Sequence, residues 1–192
     1  LSHKPFGESG TIVQILTRAH GRHAGLARGG SKQRAQVQPG TAVQAVWRAR
    51  LVDHLGSWTL EPERAALAAL LDQPLRLSAL ASACAIAETA LPERQAMPGV
   101  FDATETLMEQ LAGEVWDAAY VAWELGLLGA QGFGLDLHRC AATGSTDDLV
   151  WVSPRTGRAV SAAAGAPYRD RLLVLPGFLI GRGDATPARV LE

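Results

Sequence analysis

The chain has 192 residues, 47% of them hydrophobic and 19% charged, with a formal net charge of −1. That composition supports a buried core in one or two domains and excludes disorder as the main state. No apolar run reaches the about 18 residues a membrane-spanning helix needs, and no basic segment with an apolar run and cleavage site opens the chain, so a soluble protein with no membrane partner is expected.

The two cysteines, Cys84 and Cys140, are too few for a disulfide framework and point to a reducing, cytoplasmic setting. The start at Leu1 and the lack of a helix stop at the far end read as ends cut from a longer parent.

Charge is unevenly placed. Residues 1–60 carry eight Lys/Arg against Glu8 and Asp53, a net +6 with four of the five histidines, whereas residues 61–192 carry ten against seventeen, a net −7. This polarity predicts a basic module that meets a polyanion, joined to an acidic body. A solvated basic face without a partner is the alternative.

The first sixty residues read as short extended runs, Thr11–Leu16, His23–Ala27, Thr41–Leu51 and Leu55–Leu60, broken at Gly21, Gly29, Gly30, Pro39, Gly40 and Gly56. In the third run Val43, Ala45, Trp47, Ala49 and Leu51 alternate with Gln44, Arg48 and Arg50, so a period of two sends the apolar set inward and the basic set outward. Four short strands with tight turns suggest a small closed barrel. A five-stranded oligonucleotide-binding barrel (OB-fold) needs one more, which a truncated strand before Leu1 would supply.

From Glu61 the pattern reads as helical. Pro62 suits a first turn, with Glu61 and Glu63 at the positive end of the dipole, and predicts a helix to about Leu71. After a break at Pro74, the spacing of Leu77, Leu80, Cys84, Ala87 and Leu91 predicts a second helix that ends at Pro92, with Cys84 a core residue. Further helices are predicted over Val100–Leu111 and Glu114–Ala130. The last of these carries Trp116, Tyr120, Trp123 and Leu127 on one stripe. Pro154 and Gly157 then place a turn between Leu149–Val152 and Ala159–Ser161, a hairpin inserted into the helical part. The tail after Pro167, with Leu172, Leu173, Leu175 and Phe178–Ile180, reads as helix or irregular cover.

The chemistry these residues could carry is narrow. No Gly-rich run ends in the Gly-Lys-Ser/Thr of a phosphate-cradling loop, which argues against ATP-driven work. Asp136, His138 and Cys140 share one face if extended, but zinc wants four ligands or three and a water, and no further His or Cys follows. Neither a cofactor nor catalysis is expected. Nucleic-acid binding has more support: Arg18, His20, Arg22 and His23 surround one turn, Arg28, Lys32 and Arg34 another, and Arg48 and Arg50 lie on the polar face of a strand. Phe6 and Trp58 are the local candidates for base stacking, with Trp47 assigned to the core. So few aromatics favour sequence-tolerant backbone contact.

Several of these positions match a known pattern. Gly7, Glu8, Leu16, Thr17, Gly21, Arg22, the run Ala27–Gly30 and the run Gln38–Gly40 resemble the amino-terminal domain of the RecO family of bacterial recombination mediators. The run Gly132–Leu137, Cys140, Thr143, Gly144, Val152–Gly157, Val160 and Ser161 resemble its carboxy-terminal domain.

The resemblance implies an α+β protein: an OB-fold barrel over residues 1–60 and a helical domain over residues 61–192, with a hairpin near 136–165. It implies a non-enzymatic mediator that binds single- and double-stranded DNA and anneals strands. With RecR, it would help load RecA onto DNA coated by single-strand-binding protein (SSB), in the bacterial cytoplasm and associated with the nucleoid. Some family members hold zinc with two Cys-x-x-Cys pairs; here those positions are Cys140, Thr143, Ser161 and Ala164, so a metal-free version is expected. The family's contact with the SSB tail lies in its helical domain, where Tyr120 and Trp123 are candidates, with buried core the competing role. A different class stays open: an adaptor whose barrel binds an acidic protein, with DNA contact incidental.

Overall fold

The computed structural model describes residues 1–29, 37–51, 54–65 and 69–182. Spatial proximity divides the chain into two compact units, Leu1–Trp116 and Asp117–Glu192.

The first unit opens with five strands: β1 (Ser2–Phe6), β2 (Gly10–Thr17), β3 (Gly21–Arg28), β4 (Thr41–Arg48) and β5 (Ser57–Ala65). Their order in the sheet is β1-β2-β3-β5-β4, antiparallel except where β3 meets β5 in parallel. This is the strand order of an oligonucleotide-binding barrel. Alternation does the sorting. Thr11, Val13 and Ile15 of β2 are buried while their neighbours are not, and with Ala27, Val37, Trp58 and Leu60 they form the barrel core, on which Val43 and Trp47 pack. Trp58 lies flat against β3 because residue 25 is glycine: a Cβ there would stand 2.6 Å from the indole.

Three expectations need correction here. The fifth strand is β1, within the chain, so no strand lost before Leu1 is required. The helix from Glu61 does not form, because Glu61 and Glu63 belong to β5, where Glu61 pairs with Gln44 of β4 and Glu63 sits at the register shift between Ala42 and Val43; residues 66–68 of that predicted helix lie outside the described residues. Pro62 faces Val43 at a register shift, beyond the two residues where β5 pairs with β3, so its missing N–H breaks no ladder bond on that side. Ala45 is exposed, although its face is the inward one.

Two helices complete the first unit, α1 (Pro74–Ala90) and α2 (Pro98–Gln110). Pro74 is not a break but the opening residue of α1, where its lack of a donor costs nothing. The buried stripe of α1 is Ala79, Leu80, Ala83, Cys84 and Ala87, and burial pushes the Cys84 thiol up. The linker between the helices locks onto the β2–β3 hairpin. Arg94 N–H donates to the Arg22 carbonyl at 2.7 Å, Arg22 Nε donates to the Leu91 carbonyl at 2.9 Å, and Glu93 bridges Arg22 in parallel.

The second unit contains most of α3 (Trp116–Ala130), then β6 (Leu149–Val152), β7 (Ala159–Ser161), the short α4 (Ala162–Gly165) and β8 (Leu173–Val174). The expected hairpin is β6–β7, but the tail adds β8 to it, giving the order β7-β6-β8 where helix or irregular cover was expected. Leu137, Cys140, Leu149, Val152, Ala159, Val160 and Leu175 form its core.

Gly21 has φ +66°, and a Cβ there would stand 1.8 Å from the Gln95 carbonyl oxygen. Gly21→Ala is therefore expected to lower the unfolding free energy by about 2–4 kcal/mol, combining left-handed strain with displacement of the linker. Gly126→Ala, in α3 with nothing within 4 Å of the new methyl, is expected to raise it by up to about 1 kcal/mol. Urea denaturation of the two variants checks the opposite signs.

Candidate nucleic-acid interface

The predicted basic residues do not line one groove. They divide between the two ends of the sheet. Arg18, His20 and Arg22 sit at the β2–β3 turn, where Leu16 pairs with Arg22. Arg28 lies six residues further along β3, about 20 Å away at strand spacing. At that far end the pairing Phe6–Gly10–Arg28 runs across β1, β2 and β3, and the pairing Leu26–Ser57–Arg48 runs across β3, β5 and β4, with Arg50 just past β4.

The two ends differ in what their cations already do. Arg18 is ion-paired with Asp102 of α2. Arg22 is half-buried and donates to the Leu91 carbonyl, so its guanidinium holds the linker rather than facing outward. His20 is exposed, its backbone N–H capped by Thr17 Oγ1. His23 is buried: its ring meets Trp47 edge-on at 4.7 Å and Trp58 at 5.4 Å, and its Nδ1 lies 3.0 Å from the Ala24 carbonyl oxygen. His23 and Trp58 therefore belong to the barrel core, a correction to their reading as a phosphate contact and a stacking platform. Period-two alternation accounts for it, because His23, Gly25 and Ala27 share the face of β3 that packs on Trp58.

At the far end Arg28, Arg48 and Arg50 are exposed, and none has a carboxylate partner among the described residues. Phe6, 53% exposed, joins them there. Val46 and Leu51 are also exposed, a contribution the sequence reading left out because alternation had sent Leu51 inward. Lys32 and Arg34 lie outside the described residues.

A cation that sequence reasoning passed over is Arg94. Its guanidinium stands 5.5 Å over the Trp47 ring and donates to the His54 carbonyl at 2.8 Å, so a residue of the linker steadies the β4–β5 loop. Nothing in its sequence context signals that role, which depends on contacts 40 residues and more away.

The other predicted sites lie in the second unit. Asp136 pairs with Arg158 at 3.3 Å, His138 is exposed and Cys140 is only 1% exposed, so the three do not assemble as nucleophile, base and orienter. Cys140, Thr143, Ser161 and Ala164 do converge. Cys140 Sγ accepts from Ser161 N–H at 3.3 Å and Ser161 Oγ at 3.5 Å, Thr143 also donates to it, and Ala164 packs on the same core. Desolvation pushes the Cys140 thiol up, but the donors from Ser161 and Thr143 outweigh it and bring it down to about 6.

A donor set of one sulfur, two neutral hydroxyls and a methyl does not fit zinc. Its hydroxyls are spent as donors toward the sulfur. Tyr120 and Trp123 pack on each other with centroids 5.9 Å apart; Trp123 is buried and Tyr120 half-buried.

Comparison with known proteins agrees with this architecture. The family profile "Recombination protein O N terminal" matches residues 1–62, and "Recombination protein O C terminal" matches residues 71–189. A protein of Rhodospirillum centenum named DNA repair protein RecO is 55% identical over the whole of this chain and 78% of its own length. The protein of that name from Rhodospirillum rubrum is 54% identical over 96% of this chain and 76% of its own length. The one from Dinoroseobacter shibae is 51% identical over all of this chain and 80% of its own length. The chain belongs to the RecO family.

The contrast between the two ends is measurable as stability. Arg22→Gln is expected to cost about 1–3 kcal/mol, since a charged donor is withdrawn from a carbonyl in the linker. Arg28→Gln is expected to stay within about 0.5 kcal/mol of the parent in the same urea titration.

Proposed function

We propose that this member of the RecO family is a non-enzymatic, DNA-binding recombination mediator that works in recombinational DNA repair. It binds and anneals single-stranded DNA, binds double-stranded DNA as well, and with RecR helps load RecA onto SSB-coated DNA. Its place is the bacterial cytoplasm, at the nucleoid. Residues 1–60 serve DNA, and the contact with the SSB tail lies in residues 61–192.

The name DNA repair protein RecO borne by its relatives supports the general role. The observation that carries the DNA contact is the group of exposed guanidiniums, Arg28, Arg48 and Arg50, beside exposed Phe6 at one end of an oligonucleotide-binding sheet. Phosphates are neutralised by such cations without reading sequence, and one aromatic face suits any base. Two strands brought to one such surface repel each other less, so annealing needs neither a nucleophile nor a nucleotide.

Fluorescence anisotropy with labelled oligo-dT tests the assignment. With three phosphates neutralised by these cations, reversing Arg28, Arg48 and Arg50 to Glu should flatten the log–log salt dependence by about 2. A variant with unchanged slope and affinity would show that DNA contacts some other surface. An annealing assay on SSB-coated strands, with and without RecR and without ATP, tests the mediator role. Absence of annealing, together with salt-insensitive or merely incidental DNA binding, favours the protein adaptor.

A further inference from the structure

Arg94 is the residue by which the linker between α1 and α2 reaches the loop between β4 and β5. Its φ is +60°, left-handed backbone that an L residue adopts only at a cost in energy, and its N–H is committed to the Arg22 carbonyl at 2.7 Å. A residue held in such a conformation by its surroundings has its side chain aimed by them as well. That side chain is only 28% exposed.

The loop it reaches is built around one indole. Trp47 Nε1 donates to the Leu55 carbonyl at 3.2 Å, and Gly56, with φ +64°, passes so close that a Cβ there would stand 2.4 Å from the ring. His54 N–H donates to the Leu51 carbonyl at 3.1 Å, and the Gly56 carbonyl accepts from Leu26 of β3 at 3.0 Å. The Arg94 guanidinium completes the set, 5.5 Å over the Trp47 ring and 2.8 Å from the His54 carbonyl. One cation therefore grips both the indole near the end of β4 and the backbone of the loop that follows.

Arg48 comes directly after that indole, and Arg50 lies between it and His54. Both are exposed and have no carboxylate partner among the described residues. Their own side chains make no bond that would fix them, so where they stand follows from the backbone that carries them.

We infer that Arg94 is a positioning residue for the DNA contact: by holding Trp47 and the His54 carbonyl it fixes the backbone from which Arg48 and Arg50 meet phosphates. The inference rests on the surface assigned above to Arg28, Arg48 and Arg50. A loop already held in its binding geometry spares the association the cost of ordering it, which is a gain in affinity without any new contact. Arg94 contributes from behind the surface, since its guanidinium is spent on an aromatic face and a carbonyl.

The test is a mutant cycle on the 192-residue chain, read by anisotropy with labelled oligo-dT, with urea denaturation beside it. Arg94→Gly deletes the side chain and also relieves the left-handed backbone, so the two effects on folding oppose each other and the urea midpoint is expected to stay close to the parent's. Affinity for oligo-dT is nevertheless expected to fall about threefold or more, with the log–log salt slope flattened by up to about 1.4, the share of two single-strand phosphates. Arg94→Met, which keeps an apolar stem over Trp47 without the charge, should lose as much. With Arg48→Gln and Arg50→Gln already in place, Arg94→Gly should cost less than about 1.5-fold, because the residues it acts through are gone.

The proposal is overturned if the Arg94 variants bind as tightly as the parent, or if their loss of affinity merely tracks a loss of folded protein. An equal loss in the Arg48 and Arg50 background also overturns it, since that marks Arg94 as a phosphate contact in its own right. If reversing Arg28, Arg48 and Arg50 to Glu leaves binding unchanged, the surface fails and the positioning role falls with it. If that reversal weakens binding and Arg94→Gly does not, the positioning role alone falls.

Discussion

The guanidinium of Arg22 fastens the first unit together. It reaches from the start of β3 to the Leu91 carbonyl at the end of α1, 69 residues away, while its own carbonyl accepts from Arg94 at 2.7 Å. The glycine before it leaves room for the Gln95 carbonyl, and Arg94 goes on to cover Trp47 and hold His54. Sheet, linker and β4–β5 loop are thus tied by one set of polar bonds around one turn. The cost falls on the surface: a cation committed to a carbonyl has one fewer donor for a phosphate, and the β2–β3 end is filled by protein.

How much of this was legible in the sequence depends on the range of the forces involved. Strand β4 announced itself through alternation, β2 and β3 as short runs between glycines, and α1 through its stripe, because a local pattern reports a local element. β1 did not, since Ser2–Phe6 contains a Lys and a Pro and becomes a strand only by lying beside β2. The first half of β5 was read as the extended run Leu55–Leu60, but its second half was misread because Pro62 with flanking glutamates is good chemistry for a helix start, and only pairing with β4 overrides it. β8 is two residues long and exists through β6.

The candidate site shows the same limit. That residues 1–60 are basic is plain from composition, but which cations stay available is decided by Leu91, Asp102 and Glu88, far along the chain. The convergence of Cys140, Thr143, Ser161 and Ala164 was implied only by the resemblance to the RecO family, and the structure gives it physical content. A sulfur that accepts from two hydroxyl-bearing residues can fix the turn by hydrogen bonds, each worth a modest amount, where metal coordination would have fixed it outright. Both solutions satisfy the same demand, that a tight loop without regular structure be anchored to the hairpin.

The polarity between the two parts of the sequence also takes a different meaning once folded. Part of it is consumed within the first unit: Lys4 meets Glu88 of α1 at 3.5 Å and Arg18 meets Asp102 of α2. Such exposed pairs contribute little stability, but they lower the positive potential on the side of the sheet that the helices face. Arg28, Arg48 and Arg50 have no such carboxylate partners among the described residues, so the positive charge left unneutralised on the sheet lies with them. Part of the acidic excess read from composition is thus spent inside the first unit, and the charge split along the sequence overstates what the folded sheet presents to a polyanion.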